Sequence, residues 1–288
     1  MGGNSNDINN IKSNNFNNYI ILQVKISEKI LNKDIKLLNQ EKTNKNDYNF
    51  QKTDIETIYD NQIGNIKFKD DEYYWKFTKT GIHTIKIIFQ KKLLQCNKLF
   101  YCCNNIYKID CSNFDCSQII DCSSMFYQCS SLININLGKL DFALSNDFSY
   151  MFYNCNNLEK LNVSYFNTNN SKSFELMFRD CSKLKEINVS KFITTNCKNI
   201  SAMFARCSSL ESIDMLNWDM KNISNIDFLF SGCSKLKNIK MNFNNDKKLS
   251  FFQTFCGLPE GGSFVWKKGT NCNELLKYLP VSWNRTQE

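Results

Sequence analysis

The stretch Met151-Phe152-Tyr153-Asn154-Cys155-Asn156-Asn157-Leu158-Glu159-Lys160-Leu161-Asn162-Val163-Ser164-Tyr165-Phe166-Asn167-Thr168 decides the fold, because its frame recurs along the chain. A Phe-x-x-Cys pair returns every 26 residues, at Phe100/Cys103, Phe126/Cys129, Phe152/Cys155, Phe178/Cys181, Phe204/Cys207 and Phe230/Cys233. Leu99, Met125, Met151, Met177, Met203 or Leu229 precedes each Phe, and Ile106, Leu132, Leu158, Leu184, Leu210 or Leu236 follows each Cys by three residues. The register continues through Ile109, Ile135, Leu161, Ile187, Ile213 and Ile239, then Cys111, Leu137, Val163, Val189, Met215 and Met241. A fixed period of this length marks stacked coils rather than a single globular core.

Within one unit, Leu161-Asn162-Val163 alternates, so Leu161 and Val163 face inward, Asn162 faces out, and the segment reads as a short strand. The Met-Phe-x-x-Cys portion has the spacing of one helical or 3₁₀ turn on the opposite side. The expected fold is therefore an α/β repeat: a leucine-rich-repeat solenoid with a parallel sheet on one side and short helical or irregular turns on the other. One coil cannot bury its apolar edge alone, so stability is a sum of coil and interface terms.

The Leu158-Glu-Lys-Leu161-Asn-Val163 centre and the Met-Phe-x-x-Cys lead resemble the repeat of BspA-like leucine-rich-repeat proteins over about residues 97–250. That resemblance implies the solenoid fold and a binding or adhesive role on a cell surface. It supplies no catalytic residues.

Four regions are expected: a disordered Asn-rich tail (1–18), a β-rich N-terminal domain (19–95), six repeats (96–250) and a C-terminal cap (251–288). Strand-like runs fall at 19–26, 55–59, 65–68, 73–78 and 83–89, with a hairpin about the Thr80-Gly81 turn and a polar loop at 39–47. Such a sheet would cover the open edge of the first coil. The period breaks after Cys233, where Phe255 arrives early. A strand at 263–267 and a short helix at 273–279, ended by Pro280, complete the cap.

Composition narrows the function. The 288 residues are 42% hydrophobic, enough for a large core, and the formal charge of +8 is scattered among acidic residues rather than gathered in a basic run. With no stacking aromatics among the outward strand positions, nucleic acid is not the expected partner. No leader pattern opens the chain and no run is long enough to span a bilayer. A cytoplasmic protein is expected, with the cell surface as the alternative, and the 14 cysteines as buried thiols rather than disulfides. Acylation of Gly2 is a minor alternative, since Asn6 stands where the signal prefers Ser or Thr. Asn and Lys are so abundant that individual ones, and the sequons at Asn162, Asn169, Asn188, Asn199, Asn222 and Asn284, read first as compositional bias.

An enzyme is not expected. The single histidine, His83, sits in a strand-like run and reads as an exposed strand residue, and no Gly-rich phosphate loop occurs. The cysteines crowding the first coil (Cys96, Cys102, Cys103, Cys111, Cys116 and Cys122) lack the Cys-x-x-Cys spacing of a zinc site. No catalytic, cofactor-binding or metal-ligating residue is nominated. The expected site is a face for a protein partner, made by the outward strand residues Lys108, Asp110, Asn134, Asn136, Lys160, Asn162, Glu186, Asn188, Ser212, Asp214, Asn238 and Lys240. Two readings stand side by side: a solvated face whose Asn side chains bond along the stack, or a polar docking surface on which folding does not depend.

Overall fold

The computed structural model describes residues 18–39, 42–44, 47–48, 55–59, 62–63, 67–70, 72–244, 249–270 and 272–288. The elements run β1 (Tyr19–Ile26), β2 (Asp34–Asn39), β3 (Lys42–Asn44), β4 (Asp47–Tyr48), β5 (Ile55–Tyr59), β6 (Gln62–Ile63), β7 (Lys67–Lys69), β8 (Glu72–Lys76), β9 (Gly81–Phe89), β10 (Ile106–Asn113), β11 (Asn134–Asn136), β12 (Ser212–Met215), β13 (Asn238–Met241), β14 (Ser263–Trp266), α1 (Asn273–Leu276) and β15 (Asn284–Gln287).

Stacked parallel coils form the body, and their inward ladders fall where the repeat puts them. Phe100, Phe126, Phe152, Phe178, Phe204 and Phe230 are fully buried, and neighbouring rings stack with centroids 5.2–5.9 Å apart. Parallel pairing joins β10 to β11 and runs through β12, β13, β14 and β15, with Ile109 opposite Ile135 and Ile213 opposite Ile239.

The side opposite the sheet is not helical. Among the described residues the one α-helix is α1, in the cap. In each coil two residues take a left-handed backbone: Lys98, Ser124, Tyr150, Leu176, Ala202 and Phe228 at one position, and Cys102, Gln128, Asn154, Asp180, Arg206 and Gly232 at the other. Those residues break helix propagation and turn alternate N–H groups outward along the stack. The Phe100, Phe126, Phe152, Phe178 and Phe204 N–H groups donate to the Met125, Met151, Met177, Met203 and Leu229 carbonyls of the next coil at 2.8–3.1 Å. The remaining amides close turns within their own coil, as Cys155 N–H does on the Phe152 carbonyl at 3.2 Å. A second hydrogen-bonded ladder thus replaces the expected helical turns.

The cysteine of the repeat belongs to this ladder. Cys129, Cys155, Cys181, Cys207 and Cys233 thiols donate to the Phe100, Phe126, Phe152, Phe178 and Phe204 carbonyls of the preceding coil at 2.9–3.2 Å. All fourteen cysteines are free thiols, and of these Cys256 alone is exposed. Burial pushes Cys129, Cys181 and Cys233 up to about 12 and Cys155 and Cys207 well above their ordinary range.

The N-terminal strands cap both sides of the first coil. β1 runs antiparallel between β10 and β9, so the sheet edge at Ile109 is covered by Leu22. β2, β7 and β8 form a separate sheet. At its end Asn39 N–H donates to the Leu99 carbonyl at 2.8 Å, and its Nδ2 to the Lys98 and Tyr101 carbonyls at 2.9 and 3.0 Å. Leu99 and Tyr101 are the ladder equivalents of the acceptors Met125 and Tyr127, so Asn39 supplies two of the donors of a missing coil. Buried residues of both sheets and the coils form one continuous core.

Several expectations change. The strands about Gly81 do not make a hairpin: β8 pairs with β2 and β7, whereas β9 pairs with β1 and β5. The polar stretch expected as a loop contributes β3 and β4, with 40–41 and 45–46 outside the described residues. The tail at 1–17, Gly2 included, also lies outside them. Asn18, assigned to that tail, is buried, and its Oδ1 accepts the Asp115 N–H at 2.9 Å. His83 is buried, not exposed, and its ring Nε2–H donates to the Lys79 carbonyl at 2.9 Å. The solenoid also continues past 250, since Phe255 stacks on Phe230 at 6.2 Å and β14 and β15 extend the sheet.

Replacing Phe178 by Ala opens a cavity between two rings, and chemical unfolding should show a loss of about 3–5 kcal/mol; a loss under about 1 kcal/mol would contradict its place in the ladder. The thiols predict a pH dependence. Their folded pKa lies above the unfolded value of 9.0, so the folded state holds protons that the unfolded chain releases. Stability is then complete below about pH 9 and falls toward pH 12 by about 1.4 kcal/mol per pH unit for each thiol. Unfolding midpoints measured across that window should drop steeply, and Cys181→Ala should make the drop shallower.

Candidate polar groove on the sheet face

The twelve outward strand residues do project from the sheet side, and the structure gathers nine of them around one groove of about 780 Å³: Asn134, Lys160, Asn162, Glu186, Asn188, Ser212, Asp214, Asn238 and Lys240. Lys108 and Asp110 on β10, beside β1, and Asn136 at the end of β11 lie outside it. Ile135, Leu161 and Ile187 form part of the floor and are each 7–8% exposed.

The groove sits where the sheet is interrupted. Asn134 bridges Lys160, but among the described residues 160–163 and 186–189 form no strand, and pairing resumes at β12 with β13. Glu211 N–H to the Lys185 carbonyl, 3.2 Å, holds the margin. At the end of this interval Trp218 takes the slot that Phe166 and Phe192 fill in the preceding coils. It is fully buried, stacks on Phe192 at 6.1 Å, and its Nε1–H donates to the Val189 carbonyl at 2.9 Å.

Five of the twelve side chains already have a structural task. The Oδ1 atoms of Asp110, Asn136, Asn162, Asn188 and Asp214 accept the N–H two residues on, at Ser112, Gly138, Ser164, Ser190 and Leu216, over 2.8–3.1 Å. These are Asx turns that end each strand and set the corner of the coil. Bonding along the stack occurs from Asn136 Nδ2 to Asp110 Oδ1, 3.1 Å. At the C-terminal end Asn238 Oδ1 accepts the Ser263 hydroxyl at 2.9 Å, and Lys240 reaches Glu288 at 3.2 Å. The Asn abundance is partly structural as well: Asn170, Asn196 and Asn222 donate from Nδ2 to the Ala143, Asn169 and Thr195 carbonyls of the preceding coil at 2.7–2.9 Å.

The first-coil cysteines each have their own contacts. Cys96 contacts the Met125 sulfur at 3.5 Å, Cys102 the Gln128 side chain at 3.1 Å, and Cys122 the Ser145 hydroxyl at 3.2 Å. Among the described residues no group of three or more His, Cys, Asp or Glu side chains is placed to hold a metal ion. No helix among them is long and apolar enough to cross a membrane.

These features define a repeat solenoid of stacked parallel coils carrying a polar groove on its sheet face. Residues 94–212 and 185–260 match the family described as Mycoplasma protein of unknown function, DUF285, and the chain belongs to that family. No curated protein and no solved structure matches it.

The Asx turns divide the face into two kinds of residue. Asn162→Ala or Asn188→Ala should each cost about 0.5–1.5 kcal/mol in chemical unfolding, whereas Lys160→Ala and Glu186→Ala, exposed, should stay within about 0.5 kcal/mol. Equal costs for all four would refute the division.

Proposed function

We propose that the protein is a non-catalytic protein-interaction scaffold that docks a protein partner in the sheet-face groove. The observation that carries this reading is the groove itself, where polar side chains of both charge signs surround a slightly open apolar floor, and backbone pairing between coils lapses beneath them. Backbone groups of residues 160–163 and 186–189 that no neighbouring strand occupies offer hydrogen bonds to an extended partner segment. Lys160, Glu186, Asp214 and Lys240 set its charge pattern. With few apolar anchors, affinity is modest and specificity rests on hydrogen bonds.

We assign the protein to the cytoplasm. The thiol-to-carbonyl ladder works only with reduced cysteines, which a reducing compartment maintains. The resemblance to BspA-like repeats supports the alternative, an adhesive protein at the cell surface. Glycans found on Asn162 or Asn188 would select that alternative.

Affinity isolation of the tagged protein from its own cells, followed by binding assays on the recovered partner, tests the docking face. Lys160→Ala combined with Glu186→Ala and Ser212→Ala should abolish capture while the melting temperature stays unchanged, since none of the three closes an Asx turn. Capture at full strength by this variant would place the site elsewhere.

A further inference from the structure

The second ladder has a direction. At four alternate residues of each inner turn, as at Phe148, Tyr150, Phe152 and Asn154, the N–H groups point toward the C-terminal end and meet carbonyls of the next coil, while one N–H just before each set, such as Asn146 on the Ile120 carbonyl, points back. At the N-terminal end Asn39 donates to two ladder acceptors, the Leu99 and Tyr101 carbonyls, and to the neighbouring Lys98 carbonyl. The C-terminal end has no counterpart. Ile226, Phe228, Phe230 and Gly232 donate to the Ser250, Phe252, Thr254 and Cys256 carbonyls at 2.7–2.9 Å. Their equivalents one coil on, the N–H groups of Phe251, Gln253, Phe255 and Gly257, meet no acceptor among the described residues.

Beside these four donors lies a mostly apolar groove of about 670 Å³ lined by Leu249, Phe251, Phe252 and Tyr278. Phe252 and Tyr278 are 60% and 59% exposed. Donors without an acceptor beside the exposed rings of Phe252 and Tyr278 are what an inner coil would present without its successor.

We propose that this end binds an extended segment of a second polypeptide, which adds to the ladder as a further coil would, with carbonyls on alternate residues facing the four N–H groups and apolar side chains in the groove. A second copy of this chain does not fit. Two such ends meeting face to face set donor against donor, and at the carbonyl end of another copy Asn39 already takes two of the ladder acceptors, Leu99 and Tyr101, with β2 lying beside them. The occupant is therefore a different chain, recognised through its backbone acceptors and its apolar side chains.

The probe is a fluorescein-labelled peptide of residues 172–180, Lys-Ser-Phe-Glu-Leu-Met-Phe-Arg-Asp, whose Ser173, Glu175, Met177 and Arg179 carbonyls accept the same ladder inside the fold. Anisotropy should rise saturably with added protein. Binding should be lost with Phe252→Glu, an exposed change that leaves melting unaltered, and lost again when Cys256, exposed beside the groove, carries a polyethylene-glycol maleimide. Bound peptide should in turn slow modification of Cys256. The Lys160/Glu186/Ser212 variant should bind the peptide normally, so this inference and the sheet-face reading fail separately. Three results would overturn it: no saturable binding up to millimolar protein, binding untouched by both changes at the groove, or a concentration-dependent dimer that the peptide dissolves.

Discussion

The fold depends on register. Only when equivalent residues recur at a constant interval does each outward N–H on the turn side meet a carbonyl of the next coil while each strand meets its neighbour on the sheet side. The 26-residue spacing satisfies both at once, and the Phe stack follows from it. Where the interval changes, the two sides must change together. Phe255 comes one residue early, but so does Phe264 opposite Ile239, and both ladders survive the step. From Phe264 to Arg285 the chain is shorter still. The strand side follows, whereas the turn side has too little chain for a further coil and carries α1 instead, so the second ladder ends one coil before the sheet does.

This constraint accounts for residue choices that a leucine-rich frame leaves unexplained. The Phe carbonyl accepts twice, from the Cys amide of its own coil and from the Cys thiol of the next: Phe126 takes Cys129 N–H at 3.2 Å and Cys155 Sγ at 3.2 Å. An Ala at the cysteine position would leave that second acceptance unmade, and a Val or Leu would both lose it and overfill the fully buried site. The left-handed residues cost backbone strain in every coil, which regular pairing on both sides offsets. Polarity follows too: carbonyls at one end need a donor cap, Asn39, and amides at the other need acceptors.

The coil period, the inward ladders and the cover over the first coil were legible in the sequence, because each rests on patterned apolar side chains, whereas the strands were read only in part: β2, β3 and β4 were missed and the coils at 160–163 and 186–189 form none. What was hidden depends on backbone direction. Met-Phe-x-x-Cys has helical spacing, yet the left-handed positions hold Ser, Tyr, Leu, Ala and Phe as well as Gly, so side-chain identity does not announce them. Alternation around Gly81 suggested a hairpin, but the chain there crosses between two sheets, and Lys76 and Gly81 part to different partners. At the candidate site, alternation located the outward residues correctly. It could not separate those that end a strand, such as Asn162 and Asn188, from those that face only the groove, such as Lys160 and Glu186.

Between β11 and β12 the coils are held mainly by the turn-side ladder, since among the described residues the sheet side keeps only the Asn134–Lys160 bridge and the Glu211 N–H to Lys185 carbonyl bond. That ladder is the central claim. Native-state hydrogen exchange of single amides tests it most directly, because protection follows the hydrogen bond each amide makes. The account predicts slow exchange at Phe126, Phe152, Phe178 and Phe204, alternating residues that donate between coils, and fast exchange at Gln253 and Gly257, where the ladder ends. Equally fast exchange at Phe152 and Gln253 would contradict it.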